Sequence, residues 1–173
     1  ESRGLGDVYK RQILSGVISL HRGENVLVGI AQAPFIMGLS DGVMKTDIQY
    51  RLITESDCTG YHLPASQTIN IIEECQLWRE AFCWLAWQNS MLELRDLQLI
   101  GNNSYDQIRA TLISMMKWDD VLRSRIGVMN YIHQRTRISR SVVAEVLAAL
   151  RKGGYIEMNK GKLVSINRLP FEY

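Results

Sequence analysis

The chain has 173 residues, an apolar share of 46% and a formal net charge of +2. That length suits one or two domains, and that apolar share supplies a real core, which excludes a generally disordered chain. No apolar run approaches the ~18 residues of a membrane-spanning helix, and no signal peptide is visible at the N-terminus.

The first twelve residues stand apart. Asp7-Val8-Tyr9-Lys10-Arg11-Gln12 corresponds to the codons at the end of a transposase adapter used to build sequencing libraries, and Ser2-Arg3-Gly4-Leu5-Gly6 continues that adapter upstream. Residues 1–12 are therefore set aside from fold reasoning, as an expression scar would be. The native chain is expected to begin upstream of Ile13.

Residues 13–63 read as strands and turns. Gly16-Val17-Ile18-Ser19-Leu20 alternates imperfectly, Arg22-Gly23-Glu24-Asn25 is a turn cluster, and Val26-Leu27-Val28-Gly29-Ile30 follows as the second arm of a hairpin. Tyr50-Arg51-Leu52-Ile53 and Gly60-Tyr61-His62-Leu63 are two further short strands. With no helical period between them, these segments predict part of an antiparallel β-roll, an effector-like unit over residues 13–76.

Pro64-Ala65-Ser66-Gln67 opens a helical region. Leu77 to Ile100 contains no Gly or Pro and forms a long connector helix, within a segment taken as 77–103. Trp78, Leu85, Leu92 and Leu99 recur every seven residues, and Trp84, Trp87, Met91 and Leu94 form a second stripe on another side. A helix with two apolar faces needs two neighbours: the β-roll for one, a second copy of the same helix for the other. Gly101-Asn102-Asn103 ends it.

Residues 104–173 carry the functional signal. Tyr105 to Lys117, with Ser104 as N-cap, and Val121 to Gln134 are two amphipathic helices. Arg135-Thr136-Arg137-Ile138 is a basic turn. Ser139 then caps a helix from Arg140 to Lys152, whose Val143, Val146, Leu147 and Leu150 fall on one buried face. Its other residues, Arg140, Ser141, Ala144, Glu145 and Ala148, suit a recognition helix. Arg140, projecting from the first turn opposite the buried stripe, can grip a guanine; Glu145 can accept from a cytosine amino group; small residues let the backbone approach the groove. Gly153-Gly154 stops the helix, and Tyr155 to Met158 with Lys162 to Ile166 flank Asn159-Lys160-Gly161 as a hairpin with a cationic tip. Arg135, Arg137, Ser139, Lys160 and Lys162 are the expected contacts to the DNA backbone. Charge agrees: from Arg125 onward nine basic residues face three acidic ones, a net of +6, which leaves the remainder at −4. The fold class is thus α+β: a partial antiparallel β-roll, a long dimerisation helix and a C-terminal winged helix-turn-helix. The rival reading is a winged-helix protein-interaction module without sequence-specific DNA binding.

Ser139-Arg140-Ser141-Val142-Val143-Ala144-Glu145-Val146-Leu147-Ala148-Ala149-Leu150 resembles the recognition helix of the cyclic-AMP receptor protein/FNR superfamily, and the order of elements from Ile13 to Tyr173 is the same. Phe82-Cys83-Trp84, Leu99 to Gln107 and Ile126 to Tyr131 resemble an enterobacterial branch of it. The resemblance implies a cytoplasmic homodimer without enzymatic activity, binding double-stranded operator DNA near oxidative-stress resistance genes, with RNA polymerase as a further partner. The superfamily usually carries a base-reading Glu at the position of Ser141 and an Arg at that of Glu145. Only Arg140 carries over directly, so the superfamily's usual half-site is not assumed.

No cofactor is expected, and the effector stays open. Cyclic-nucleotide regulators hold the phosphate with Gly-Glu and Arg-Ser pairs; here the region reads Gly38-Leu39-Ser40-Asp41 and then Gln49-Tyr50, with neither pair. Gly38-Leu39-Ser40-Asp41-Gly42 fits a G-x-S-x-G pattern without the strand-turn-helix that a nucleophile elbow needs. Cys58, Cys75 and Cys83 lack C-x-x-C spacing, which fits a reducing compartment. For Cys75 and Cys83 the apolar helical context predicts buried structural thiols. His21 and His62 read as strand or surface histidines, and no metal site is expected.

Overall fold

A computed structural model describes residues 9–23, 26–40, 43–44 and 50–171. Strands come first: β1 (Tyr9–Ser15), β2 (Val17–Arg22), β3 (Val26–Gln32), β4 (Phe35–Met37), β5 (Tyr50–Thr54) and β6 (Thr59–Pro64). They form two three-stranded sheets, ordered β4-β1-β6 and β3-β2-β5, with β1 antiparallel to β4 and β6 and β2 antiparallel to β5. Gly16 switches the chain from one sheet to the other at φ +95°, where a Cβ would collide with the Asp57 carbonyl and Cys58 Sγ. Val17, Ile18, Val28 and Phe35 bury the apolar side of this unit.

The expected hairpin arms and both later strands are present. Two strands are additional. β4 has three residues, too few for a period to register. β1 includes Tyr9 to Gln12, so four residues set aside on sequence grounds take part in a sheet, with Gln12 opposite Ile36 and Tyr61. Ladder hydrogen bonds use backbone groups common to every residue, so pairing accepts them whatever their side chains.

α1 (Ala65–Glu74) follows Pro64 and buries Ile72. Gln76, at φ +55°, breaks it from α2 (Trp78–Leu99). Of the expected second stripe of α2, Trp84 and Trp87 meet the strand unit. Phe35 meets Trp84 and Trp87 edge-on, with ring centroids 5.4 and 6.5 Å away, and Trp84 Nε1 and Gln88 Nε2 donate to the Ile36 carbonyl at 3.0 and 3.3 Å. Neither stripe is buried along its length: Trp87, Met91 and Leu94 are exposed on that one, Trp78 and Leu92 on the seven-residue stripe, whose Leu85 and Leu99 are half-buried. Asn102 ends α2 by donating its amide to the Leu97 and Gln98 carbonyls, which would otherwise lack partners.

The thiols differ from expectation. Cys58 is half-buried and donates to the Val17 and Ser56 carbonyls, whereas Cys75 and Cys83 are exposed. Cys83 lies between Phe82 and Trp84 in sequence, but successive helical residues point about 100° apart, so apolar neighbours do not bury it. Among the described residues no group of His, Cys, Asp and Glu could hold a metal, and no helix is long and apolar enough to cross a membrane.

The chain divides into two compact units, 1–24 with 28–93 and 25–27 with 94–173, so the division falls inside α2 and not at its ends. The second unit contains α3 (Ser104–Met116), α4 (Asp120–Arg125), α5 (Val128–Thr136), α6 (Arg140–Lys152) and the hairpin β7 (Ile156–Asn159) with β8 (Lys162–Ile166). Ile108, Leu112, Met115, Val128, Ile132, Val143 and Leu150 are fully or almost fully buried and make its core. Two boundaries move. Asn103, not Ser104, caps α3, its Oδ1 accepting from Asp106 N at 2.8 Å. The helix expected over Val121–Gln134 is two helices: Asp119 caps α4, Ile126 is extended, and Gly127 starts α5. Of the apolar residues spaced as for one helix, Leu122 and Ile132 are buried, whereas Ile126 is half-buried and Met129 is exposed.

Candidate nucleic-acid interface

α5 and α6 form a helix-turn-helix, and its turn is tightly specified. Arg137, at φ +65°, closes α5 by donating its N–H to the His133 carbonyl at 2.9 Å. His133 Nδ1 lies 2.7 Å from the Ile138 carbonyl. A carbonyl only accepts, so that nitrogen carries the proton. Thr136 Oγ1 donates to Ile132 O and accepts from Ile138 N. Ser139 then starts α6, its Oγ accepting from Val142 N at 3.3 Å and lying 3.0 Å from Ser141 Oγ.

α6 buries Val143, Val146, Leu147 and Leu150 and exposes Arg140, Ser141, Ala144, Glu145 and Ala148. At about 100° per residue the line furthest from the buried stripe runs through Ser141, Glu145, Ala148 and Lys152, while Arg140 and Ala144 flank it. Arg140 is therefore exposed at the edge of this face, not opposite the stripe. Among the described residues no hydrogen bond or ion pair engages Arg140 or Glu145, so both are available to an incoming ligand.

The hairpin is docked, not projecting. Val128 N donates to the Gly161 carbonyl at 3.0 Å, and Lys162 Nζ donates to the Arg125 carbonyl at the end of α4. Lys162 thus holds the tip against the α4–α5 junction with one of its three ammonium donors. Lys160, at φ +46°, remains exposed at the tip. Arg135 needs a correction. It is 8% exposed, its Nη2 donates to Gln98 Oε1 at 3.2 Å, and its guanidinium lies 6.0 Å from the Tyr131 ring centre. A buried guanidinium tied to α2 cannot reach a phosphate. Arg137 and Ser139 are exposed, as a backbone contact requires.

Residues 104–171 match the winged helix-turn-helix DNA-binding family. Over 161 residues, covering 93% of this chain and 78% of that protein, the sequence is 79% identical to the inhibitor of hydrogen peroxide resistance of Escherichia coli K12. The chain belongs to the inhibitor of hydrogen peroxide resistance family. The Xanthomonas campestris regulator CLP, described as c-di-GMP responsive, superposes with a TM-score of 0.77 at 14% identity, covering 93% of this chain and 86% of that one. A CRP-family transcriptional regulator of Thermus thermophilus superposes at 0.68 with 13% identity, over 95% and 86% of the two chains. At those identities the likeness establishes a shared fold, a β-sheet domain followed by helices and a winged helix-turn-helix.

Two residues that shape this turn have no role in the sequence reading of the interface: His133, which fixes the turn, and Gln98, which receives Arg135. Gln98 has no local signal, because its partner lies 37 positions away, whereas His133 bonds a carbonyl five residues on, within the same turn. Tyr131 belongs to the same cluster, packing edge-on to Trp118 with ring centroids 4.9 Å apart. Burial raises its phenol above the usual value of about 10, partly offset by the positive charge and hydrogen bond of Arg135. A raised folded value means full stability below pH 10 and loss as pH climbs through the folded value. Tyr131→Phe should therefore flatten the alkaline limb of a pH–melting profile for this unit. An unchanged limb would show that Tyr131 is not the titrating group.

Proposed function

We propose that the chain is a sequence-specific, DNA-binding transcriptional regulator of hydrogen peroxide resistance genes, acting in the cytoplasm as a homodimer on double-stranded operator DNA. The observation that carries this is the pinned α5–α6 turn presenting an α6 face of small and polar residues, with Arg140 and Glu145 unengaged. The exposed apolar side chains of α2 support the dimer, and the name of the 79%-identical relative supports the peroxide link. The regulatory signal is proposed to be other than a cyclic nucleotide: Leu39, where a phosphate-binding site would need polar groups, is a buried apolar side chain. Asp41 and Gln49 lie outside the described residues.

Binding across a randomised operator library, with salt varied, tests the proposal. A preferred sequence bound at least ~10³-fold more tightly than random DNA, with affinity falling steeply as salt rises, is expected. Lys160→Ala should weaken all sequences nearly alike and lower the salt slope by about one. Salt-independent binding with no preference for DNA over an acidic protein would instead establish a protein-docking winged helix.

A further inference from the structure

The C-terminal end of α6 carries charge that the reading residues of its first turn leave unused. Arg151 and Lys152 occupy the last turn, and both are exposed. The loop behind them is tightly tied. Tyr155 N donates to the Leu150 carbonyl at 2.9 Å and Gly154 N to the Arg151 carbonyl at 3.0 Å, and the Tyr155 ring lies where a Cβ on Gly153 would stand. The segment after β8 is laced to the same loop: Asn167 Nδ2 donates to the Gly154 carbonyl and Asn167 N to the Tyr155 carbonyl, each at 2.9 Å. Leu169 is buried, so the chain is fixed on both sides of the exposed Arg168. Among the described residues no hydrogen bond or ion pair engages the side chains of Arg151, Lys152 or Arg168. No Asp or Glu lies between Glu145 and Glu157 or between Glu157 and Glu172, and Glu157 is itself engaged, accepting from Ser165 Oγ at 3.3 Å.

A helix dipole favours cations in the last turn, which accounts for Arg151 and Lys152 alone. Arg168 is not on the helix, and the dipole does not explain its tether beside them. The line of α6 furthest from the core runs through Ser141, Glu145, Ala148 and Lys152, so the face that the first turn offers to DNA continues unbroken to this end. Ser141 and Lys152 lie about 16 Å apart along the axis. The major groove of B-DNA is about 12 Å wide, so a helix whose first turn reads bases carries its last turn to the sugar-phosphate edge. We propose that Arg151, Lys152 and Arg168 form a second backbone contact, gripping phosphates outside the base pairs that the first turn of α6 reads. This rests on α6 being the recognition helix. Continuity with the reading face favours a duplex over an acidic protein as the partner. Phosphate contacts position without specifying, so this end adds affinity and no base preference.

The test uses the whole chain and its preferred operator, selected from a randomised library, in a core duplex and in one lengthened at each end by a helical turn, about ten base pairs. The parent should bind the long duplex at least about tenfold more tightly, with a steeper salt dependence. Arg151→Gln with Lys152→Gln and Arg168→Gln should remove that gain and lower the salt slope on the long duplex by about 0.9 per cation for each bound chain. Binding to the core duplex and sequence preference should stay as in the parent. Arg168→Gln alone should lower the slope by about 0.9, which a weakened end of α6 does not imitate. Arg151→Lys with Arg168→Lys should behave as the parent, because a point charge suffices at a phosphate. Equal affinity of the parent for the two duplexes, with its sequence preference intact, overturns this inference alone. A loss from the triple variant that is the same on both duplexes places the cations at the core site and overturns it too. A triple variant that keeps both affinities but no longer binds polyglutamate makes the surface a dock for an acidic protein and overturns the duplex contact. A parent chain without sequence preference overturns the recognition-helix reading and this inference with it.

Discussion

Arg135→Ala should cost the winged unit about 2–4 kcal/mol and lower its melting temperature by more than about 5 °C. The substitution takes the partner from the half-buried Gln98 side-chain oxygen and from the buried Tyr131 hydroxyl, and leaves a void where the guanidinium lay. Each stranded polar group costs about 1–3 kcal/mol. Arg135→Lys should rescue little, because an ammonium lacks the planar fork that reaches Gln98 while lying over a ring. DNA binding by Arg135→Ala, measured well below its melting point, should keep the parent salt slope. Unchanged stability together with a slope reduced by about one would return Arg135 to the phosphate-contacting role first read from the sequence.

That reversal shows where sequence reading stops. Arg135 and Arg137 are alike in type and two residues apart in a basic turn, and charge patterning treats them the same. Helical geometry turns one inward, toward a partner 37 positions away, and leaves the other outside. Lys162 is the same case: its position near a hairpin tip is local and legible, whereas its bond to the Arg125 carbonyl depends on how the hairpin docks. Local rules worked where one segment carries the whole signal. α6 was legible to the residue because Ser139 caps it, a 3.6-residue stripe runs through it and Gly153-Gly154 stops it. The α4–α5 break is not legible, because Leu122, Ile126, Met129 and Ile132 keep a helical spacing in sequence although Ile126 is extended and Met129 is exposed. In α2 both apolar stripes are visible in sequence, yet the period does not show that Met91, Leu92 and Leu94 stay exposed. The nearby thiols were misread for the same reason, as apolar neighbours in sequence were taken for neighbours in space.

Arg140→Ala is expected to cost about 1–3 kcal/mol against the preferred operator and to relax preference at one base pair, as loss of a guanine contact does. Glu145 lies on the line of α6 furthest from the core, so it should enter a groove more deeply than Arg140. A carboxylate among phosphates is repelled unless it accepts from a base amino group. Glu145→Ala should therefore lose specificity at a second base pair while binding random DNA slightly more tightly. One alternative is that Glu145 only braces Arg140. No ion pair joins the two in the free protein, which favours independent action, and two independent contacts predict additive losses within about 0.5 kcal/mol in the double variant. If Glu145 is a brace, its loss should mirror that of Arg140→Ala and disappear once Arg140 is gone. Competition binding across a randomised operator separates these outcomes in one experiment. Sequence preference unchanged in both single variants would mean that Ser141, Ala148 and Lys152, or another element altogether, faces the bases.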